Sequence, residues 1–349
     1  MNPVKFSNEE LDLFKKKLNE FLSDRGWRKK EIGNQLTYIK SEKYDHSNNF
    51  LDKPKKRNLP PLDAIMEEMI RFFLRKGYVQ KVEENIAIND VKDTFLIGAG
   101  IQYFRRCFWG SEAIPEGRFF IPQPVIRIKY IDKVNEGITT SFVNPTSAQI
   151  GASFSNHLHS LDDSFDFLSQ IGLYMGDFNL AVVPQERYCL GKKGNWSKTD
   201  GFSLRLNYLN LGLGDAGYIR IPTKNNGIVE ISDIGLGLER ILWGLYKTPS
   251  YFDLISPRIG KKDQKNSLID SVRTATLLAM SNINEARPDA FNQFRKFTKI
   301  ASNEYGSFDM FKLVGNYFNF WSKFIHPKRS FLDTYYFLDN EISKEIKDG

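Results

Sequence analysis

Residues 232–240 read SDIGLGLER: a carboxylate, Asp233, then two glycines two apart, then Glu239 and Arg240. In the preceding GIVEISD, Val229, Ile231 and Asp233 share one face of an extended segment, so the carboxylate prolongs an apolar stripe and needs a cation to offset its desolvation. A substrate ammonium would supply one. Gly235 and Gly237 allow a tight turn and close approach of backbone to a ligand. The LERILWGLY that follows buries Leu238, Ile241, Leu242 and Leu245 at helical spacing, which leaves Arg240 off the apolar face. A guanidinium at a helix N-terminus opposes the dipole unless an anion lies there, and phosphate is the anion that both groups bind. A second arginine, Arg127, falls in RFFIPQPVIRIKYID, where the two-residue period puts it on one face with Gln123, Val125 and Lys129. Two separated arginines are what a site gripping both ends of a triphosphate requires. Taken alone, SDIGLGLER fits equally well an ordinary strand-to-helix turn with a surface Glu-Arg pair.

The elements that must position these residues follow from periodicity and punctuation. Ser7 with Glu10 is a capping box ahead of a helix with Leu11, Phe14, Leu18 and Phe21 at helical spacing. The segment 44–62, YDHSNNFLDKPKKRNLPPL, is polar, basic and proline-bearing and reads as a linker before a second helix, DAIMEEMIRFFLRKGY. RFFIPQPVIRIKYID (118–132) and ITTSFV (138–143) are expected as an antiparallel hairpin. Ser160 is expected to cap SLDDSFDFLSQIGLY, with FNLAVVP (178–184) a buried strand behind it. Two strands are expected in 202–222 and one in 227–233, and the chain beyond Ser267 reads as helical. Helices before and after a block of strands imply α+β with a largely antiparallel sheet. The expected organisation is a small helical N-terminal extension (1–45), a linker (46–61), a main domain (62–262) and a helical domain (263–349).

At 349 residues with 41% hydrophobic composition the chain has room for more than one core. A net charge of +7 and a pI near 9.1 mildly favour an anionic partner such as RNA, but on charge alone a lysine-rich proteome is the better explanation. Cys107 and Cys189 are the only cysteines and form no CxxC pair, which excludes a disulfide framework and a cysteine-built zinc site and implies a reducing compartment, the cytoplasm. No signal peptide and no membrane span are expected, since the first residues are amphipathic and no apolar run reaches about 18 residues.

With these residues in place, DIGLGLERILW resembles the third signature motif of the class II aminoacyl-tRNA synthetases. Over most of Leu62 to Lys299 the chain is similar to an archaeal-style alanyl-tRNA synthetase catalytic domain. The resemblance implies that Arg240 holds the γ-phosphate of ATP and that Asp233 binds the amino group of the amino acid, with Gly235 beside it and Glu239 and Gly237 on the nucleotide side. IPQPVIRIKYID resembles the second motif, which implies that Arg127 contacts the α-phosphate and the developing adenylate, with Gln123 alongside. KDTFLIGAGIQYFRRCFWG resembles the first-motif region of long helix and strand. GFSLRLNYLNLGLGDAGYI is similar to the strand pair lining the amino-acid pocket, with Asp215 at a polar pocket position. YKTPSYFDLI and DSVRTATLLAM resemble the entry to the helical tRNA-recognition domain, implying a tRNA acceptor stem against Arg273, Arg295, Lys296 and Lys299; the same cations read equally well as a solvated helix face. LNEFLSDRGWRKKE resembles the archaeal extension without its cysteines.

Several positions depart from the family. Arg205 stands where a glutamate is usual, NEGIT shortens the second-motif loop, and SFVNPT replaces an acidic returning strand. The Mg2+ that accompanies ATP would then need other ligands, such as Glu239 or Glu230. No stretch resembles the zinc-bearing editing domain or the C-terminal oligomerisation domain. Two readings follow: an enzyme that activates alanine or a similar small amino acid as adenylate and transfers it to tRNA, including a paralogue serving specialised metabolism, or a degenerate relative that binds tRNA or a protein partner without chemistry. A metal site in NHLHSLDD (His157, His159, Asp162, Asp163) is the weaker explanation of those residues, since the aspartates suit a helix first turn. The aromatic run Phe311, Tyr317, Phe318, Phe320 and Trp321 reads as packing rather than base stacking.

Overall fold

The computed structural model describes residues 5–348 apart from 33–34, 42–43, 46–47, 54–61, 91–92, 109, 185–186, 193–194, 199, 224–226, 256–265, 282, 286–287, 304 and 307. The first elements are α1 (Asn8–Asp24), β1 (Arg28–Ile32), β2 (Gln35–Ile39), α2 (Leu62–Arg75), β3 (Val79–Gln80), β4 (Ala87–Asp90), β5 (Asp93–Leu96) and α3 (Arg105–Phe108). Then follow β6 (Phe119–Ile126), β7 (Ser141–Ile150), α4 (Phe154–Gln170), β8 (Phe178–Pro184), β9 (Arg187–Lys192), β10 (Asn195–Lys198), β11 (Asp200–Tyr208), β12 (Leu211–Pro222), β13 (Ile228–Leu236) and α5 (Leu238–Tyr246). The chain ends in helices: α6 (Phe252–Ile255), α7 (Asn266–Met280), α8 (Pro288–Ser302), α9 (Met310–Trp321) and α10 (Phe331–Asp348).

Nine strands form one sheet in the order β1-β2-β8-β11-β12-β13-β7-β6-β3. Every pairing in it is antiparallel except β3 on β6. The α+β class read from the segregation of helices and strands is therefore what the chain adopts. One sheet face is covered by α1, α2 and α4 through aromatic contacts: Phe14 and Phe154 meet Tyr218 of β12, and Phe73 stacks on Phe120 of β6 at 4.4 Å. Because alternate strand residues point oppositely, Ala216, Tyr218, Ser232 and Ile234 belong to that helical face and Asp215, Gly217, Asp233 and Gly235 to the other.

The capping box forms as expected, the Ser7 hydroxyl accepting from the Glu10 N–H and the Glu10 carboxylate from the Ser7 N–H. The N-terminal 45 residues are not purely helical, however: β1 and β2 make a hairpin, and β2 pairs with β8 at the sheet edge. The linker segment lies partly outside the described residues, and its Phe50 is buried against Trp243.

Other expectations are corrected. The strand expected over 118–132 stops at Ile126, and Ile128–Glu136 is a 3-10 turn. Ile128, Ile131 and Val134 recur every third residue, the period of a 3-10 turn rather than of a strand. Its partner strand runs from Ser141 to Ile150, well past Val143. Among its described residues the first-motif segment holds no long helix, only β5, a 3-10 turn over Gly100–Phe104 and the four-residue α3. Gly100 sits so close to β7 that a Cβ would meet Thr146 Oγ1 at 2.5 Å. Helix α4 is capped by Ser153 with Asn156, seven residues earlier than Ser160. His157 and His159 are thereby two apart on a helix and diverge. Among the described residues no three His, Cys, Asp or Glu side chains gather around a possible metal, and none of the helices is long and apolar enough to cross a membrane.

Candidate active site

The open face of the sheet carries two rows of residues in register. Ser203, Gly217, Asp233 and Ala148 lie side by side on β11, β12, β13 and β7, and Arg205, Asp215, Gly235 and Thr146 form the next row. Glycine is required where strands crowd: a Cβ on Gly214 would come 2.2 Å from the Gly235 carbonyl. β13 runs straight through Gly235 to Leu236 instead of turning there, and Gly237, whose N–H donates to Leu213 O at 2.8 Å, hands the chain to α5. The N-terminus of α5 has no side-chain cap, so its first N–H groups are available to an anion.

Ser203, Gly217, Asp233, Arg205, Asp215 and Gly235 of these rows floor a cleft of about 800 Å³, whose walls include Arg127, Lys129, Asn144, Glu239 and Arg240. Arg127 enters from the end of β6; its Nε donates to Gly98 O at 2.9 Å and its guanidinium lies 5.0 Å from the Phe142 ring. Arg240 enters from the first turn of α5, where Nη1 donates to Gly212 O at 2.8 Å. A guanidinium has five N–H donors, so each arginine is aimed by a backbone carbonyl while keeping donors for a ligand. Asp233 and Gly235 line the same cleft, half-buried, and a Cβ on Gly235 would press on Asn144 Nδ2 at 3.2 Å.

Asp215 faces Arg205 at 3.6 Å, both side chains more than half exposed to the cleft. Enclosure by the cleft walls raises the Asp215 pKa, against the opposing pull of Arg205 and Arg127. Arg205 thus forms an ion pair on the floor of the cleft, at the position where the resemblance implied a glutamate.

Two residues expected at the nucleotide are committed elsewhere. Gln123 is fully buried; its Oε1 accepts from the Glu83 N–H at 2.8 Å and its Nε2 donates to Glu83 O at 3.0 Å, which fastens the 83–85 segment to β6. Asn144, opposite it on β7, is the amide that reaches the cleft wall, its Nδ2 donating to Leu236 O at 2.6 Å. Glu239 is 2% exposed, ion-paired with Arg273, and accepts the Val143 N–H at 3.1 Å. Arg273 is likewise corrected: at 1% exposure it cannot meet a tRNA. Its Nη1 donates to Ser141 O at 2.8 Å, and its guanidinium lies 4.7 Å from the Trp321 ring. Arg295, Lys296 and Lys299 are exposed on α8, with Arg295 Nε 3.5 Å from Glu345.

Among the described residues, the carboxylates considered for Mg2+ are held by protein donors. Glu239 is paired with Arg273, Glu230 accepts from Tyr218 and Arg220, and Asp215 is paired with Arg205. Sequence reasoning missed Ser203 and Asn144 as wall residues, for which the alternation of FSLRL and of SFVNPT was the available signal; Lys129, grouped there with Arg127, does line the cleft.

No protein-family model matches the chain. Curated relatives do: it is 27% identical over 226 residues to the alanine–tRNA ligase of Pyrobaculum arsenaticum, 61% of this chain and 24% of that protein. It is 23% identical over 268 residues to that of Pyrobaculum calidifontis (71% and 28%) and 26% over 207 residues to that of Korarchaeum cryptofilum (56% and 22%). The chain is similar to archaeal alanine–tRNA ligases. It spans about a quarter of the length of these relatives. Among solved structures, a pyrrolysyl tRNA synthetase from Desulfitobacterium hafniense superposes with a TM-score of 0.40 at 15% identity, covering 56% of this chain and 72% of that one.

Proposed function

We propose that the cleft activates alanine or a similar small amino acid with ATP as the aminoacyl-adenylate and passes the aminoacyl group to a tRNA. One observation carries this reading: Asp233, suited to an ammonium, and Arg127 and Arg240, suited to phosphates, line one cleft from three different elements. The similarity to alanine–tRNA ligases supports it.

In the first step an oxygen of the amino-acid carboxylate attacks the α-phosphorus, the mixed anhydride forms, and pyrophosphate leaves with the bond electrons. The nucleophile is already ionised at neutral pH, so no general base is needed. Arg127 and Arg240 stabilise charge spreading over the phosphates, and fixed donors in a cleft do so without reorganisation. In the second step a hydroxyl at the RNA 3′ end attacks the carbonyl carbon and AMP departs. Arg295, Lys296 and Lys299 on α8 are the cations for the acceptor stem. No step is routed through a metal here, since Glu239 and Glu230, the carboxylates considered for Mg2+, are engaged by Arg273 and by Tyr218 and Arg220. A paralogue in specialised metabolism, passing the same adenylate to a peptide or carrier, would use the same first step.

A second reading, a degenerate relative that binds tRNA or a protein partner and not ATP, is favoured by the Arg205–Asp215 pair, which places a cation on the acidic ground of the cleft floor. Calorimetry separates the two cheaply. ATP binding that is lost in Arg127→Ala and Arg240→Ala, with melting unchanged, is the expected result; ATP that does not bind overturns the proposal.

A further inference from the structure

We infer that the amino-acid subsite is built for a small amino acid whose side chain carries an uncharged hydrogen-bonding group, and that Ser203 is the residue that reads it. This inference rests on the adenylation reading above.

Ser203, Gly217 and Asp233 sit in register on three adjacent strands. Neighbouring strands are about 4.8 Å apart, so Ser203 and Asp233 stand about 10 Å from each other across a residue with no side chain. The result is a trough with a carboxylate on one wall and a hydroxyl on the other. Ser203 is 2% exposed, and its Oγ has no hydrogen-bond partner among the described residues. It nonetheless lines the cleft. A buried hydroxyl without a partner is costly to maintain, and a ligand that pairs with it recovers that cost.

The trough is closed at one end by Ile219, which belongs to an apolar cluster with Ile231 and Ile150. At the other end Arg205 and Asp215 face each other, so neither offers an uncompensated charge to a charged side chain. An amino acid anchored by its ammonium on Asp233 therefore directs its side chain over Gly217 toward Ser203. A methyl group there leaves both the space over Gly217 and the Ser203 hydroxyl unused. A hydroxyl or carboxamide fills the space and pairs with Oγ. A site that hydrogen-bonds a substrate group rejects the analogue lacking it far more strongly than an apolar pocket rejects an extra hydroxyl.

The test is a panel of glycine, alanine, serine, threonine and asparagine in amino-acid-dependent ATP–pyrophosphate exchange with the full chain, alongside amino-acid binding by calorimetry. A hydroxyl or carboxamide substrate is expected to exceed alanine in kcat/KM by about tenfold or more, and Ser203→Ala to lower that ratio about tenfold. Gly217→Ala supplies a variant that folds, since its Cβ would lie 3.5 Å from Asp233 O and 4.0 Å from Ser203 Oγ, ordinary contacts. It is expected to weaken the polar substrates most while the melting temperature holds. Alanine or glycine as best substrate, or a polar-to-alanine ratio untouched by Ser203→Ala, overturns this inference and leaves adenylation standing. No exchange and no binding with any amino acid overturns both.

Discussion

Arg273 gives the sharpest test of how the cleft is held. It projects from α7 into a closed space where its guanidinium pairs with Glu239 of α5, donates to Ser141 O on β7 and lies against Phe320 and Trp321 of α9. Glu239 precedes Arg240, so this contact fixes the helix turn that presents Arg240 to the cleft. Removing the cation in Arg273→Met strands the Glu239 carboxylate at 2% exposure. Breaking a buried pair from one side costs about 3–5 kcal/mol because an uncompensated charge remains. With about 2.1 cal/mol/K of unfolding entropy per residue over 349 residues, that loss lowers Tm by about 4–7 °C. Adding Glu239→Gln removes the stranded charge while a carbonyl oxygen still accepts the Val143 N–H, so the double variant should recover at least about 2 kcal/mol. Thermal and urea denaturation of wild type, both single variants and the double variant read the coupling directly. Additive effects, or an Arg273→Met protein as stable as wild type but weakened in RNA binding, would refute the structural role and restore Arg273 to the tRNA surface.

Two buried titratable groups give opposite pH signatures. His157 is fully buried, its pKa lowered from 6.5 to about 3 by desolvation, so its contribution is complete above pH 6.5 and is lost as pH falls toward 3. Asp270, buried beneath Thr140, has its pKa raised from 3.8 to about 6 by desolvation, so it favours the fold increasingly as pH falls from 6 to 3.8. These two slopes cancel between about pH 6 and 4; Asp270→Asn should add a loss of about 1.4 kcal/mol per pH unit there relative to wild type, and parallel urea-denaturation curves would contradict this. Gly214→Val should not yield a stable fold, since its Cβ meets the Gly235 carbonyl at 2.2 Å; a soluble variant with wild-type circular dichroism and Tm would show that β12 and β13 are not so close. If α8 meets RNA, Lys296→Glu with Lys299→Glu should weaken tRNA binding and flatten its salt dependence by about one per residue, a slope unchanged in salt titrations moving the RNA elsewhere.

The elements with strong periodicity were legible in the sequence, and so was the placement of Asp233, Arg127 and Arg240 around one cleft. What failed was local geometry set by distant partners. Gln123 lies on the face that alternation assigns it, yet its amide is claimed by the backbone of Glu83, forty residues earlier. Arg273 reads as a surface cation only while its neighbours are ignored; Leu268 to Met280 are all buried, so the helix is covered on every side and its arginine is interior. His157 illustrates the same point: the cap at Ser153 put NHLHS inside a helix, where the Nδ1 of His157 meets Ser232 Oγ at 2.9 Å. Glu239 was misjudged because the helix wheel leaves it off the apolar stripe and says nothing of α7 packing on that side.

Amino-acid-dependent ATP–pyrophosphate exchange by the purified chain is the most direct test of the central claim. Exchange that requires both ATP and an amino acid, and that disappears in Arg127→Ala and in Arg240→Ala while both variants stay folded, is the predicted result. A folded wild-type protein that exchanges pyrophosphate with no amino acid, or variants that exchange as wild type does, would contradict it.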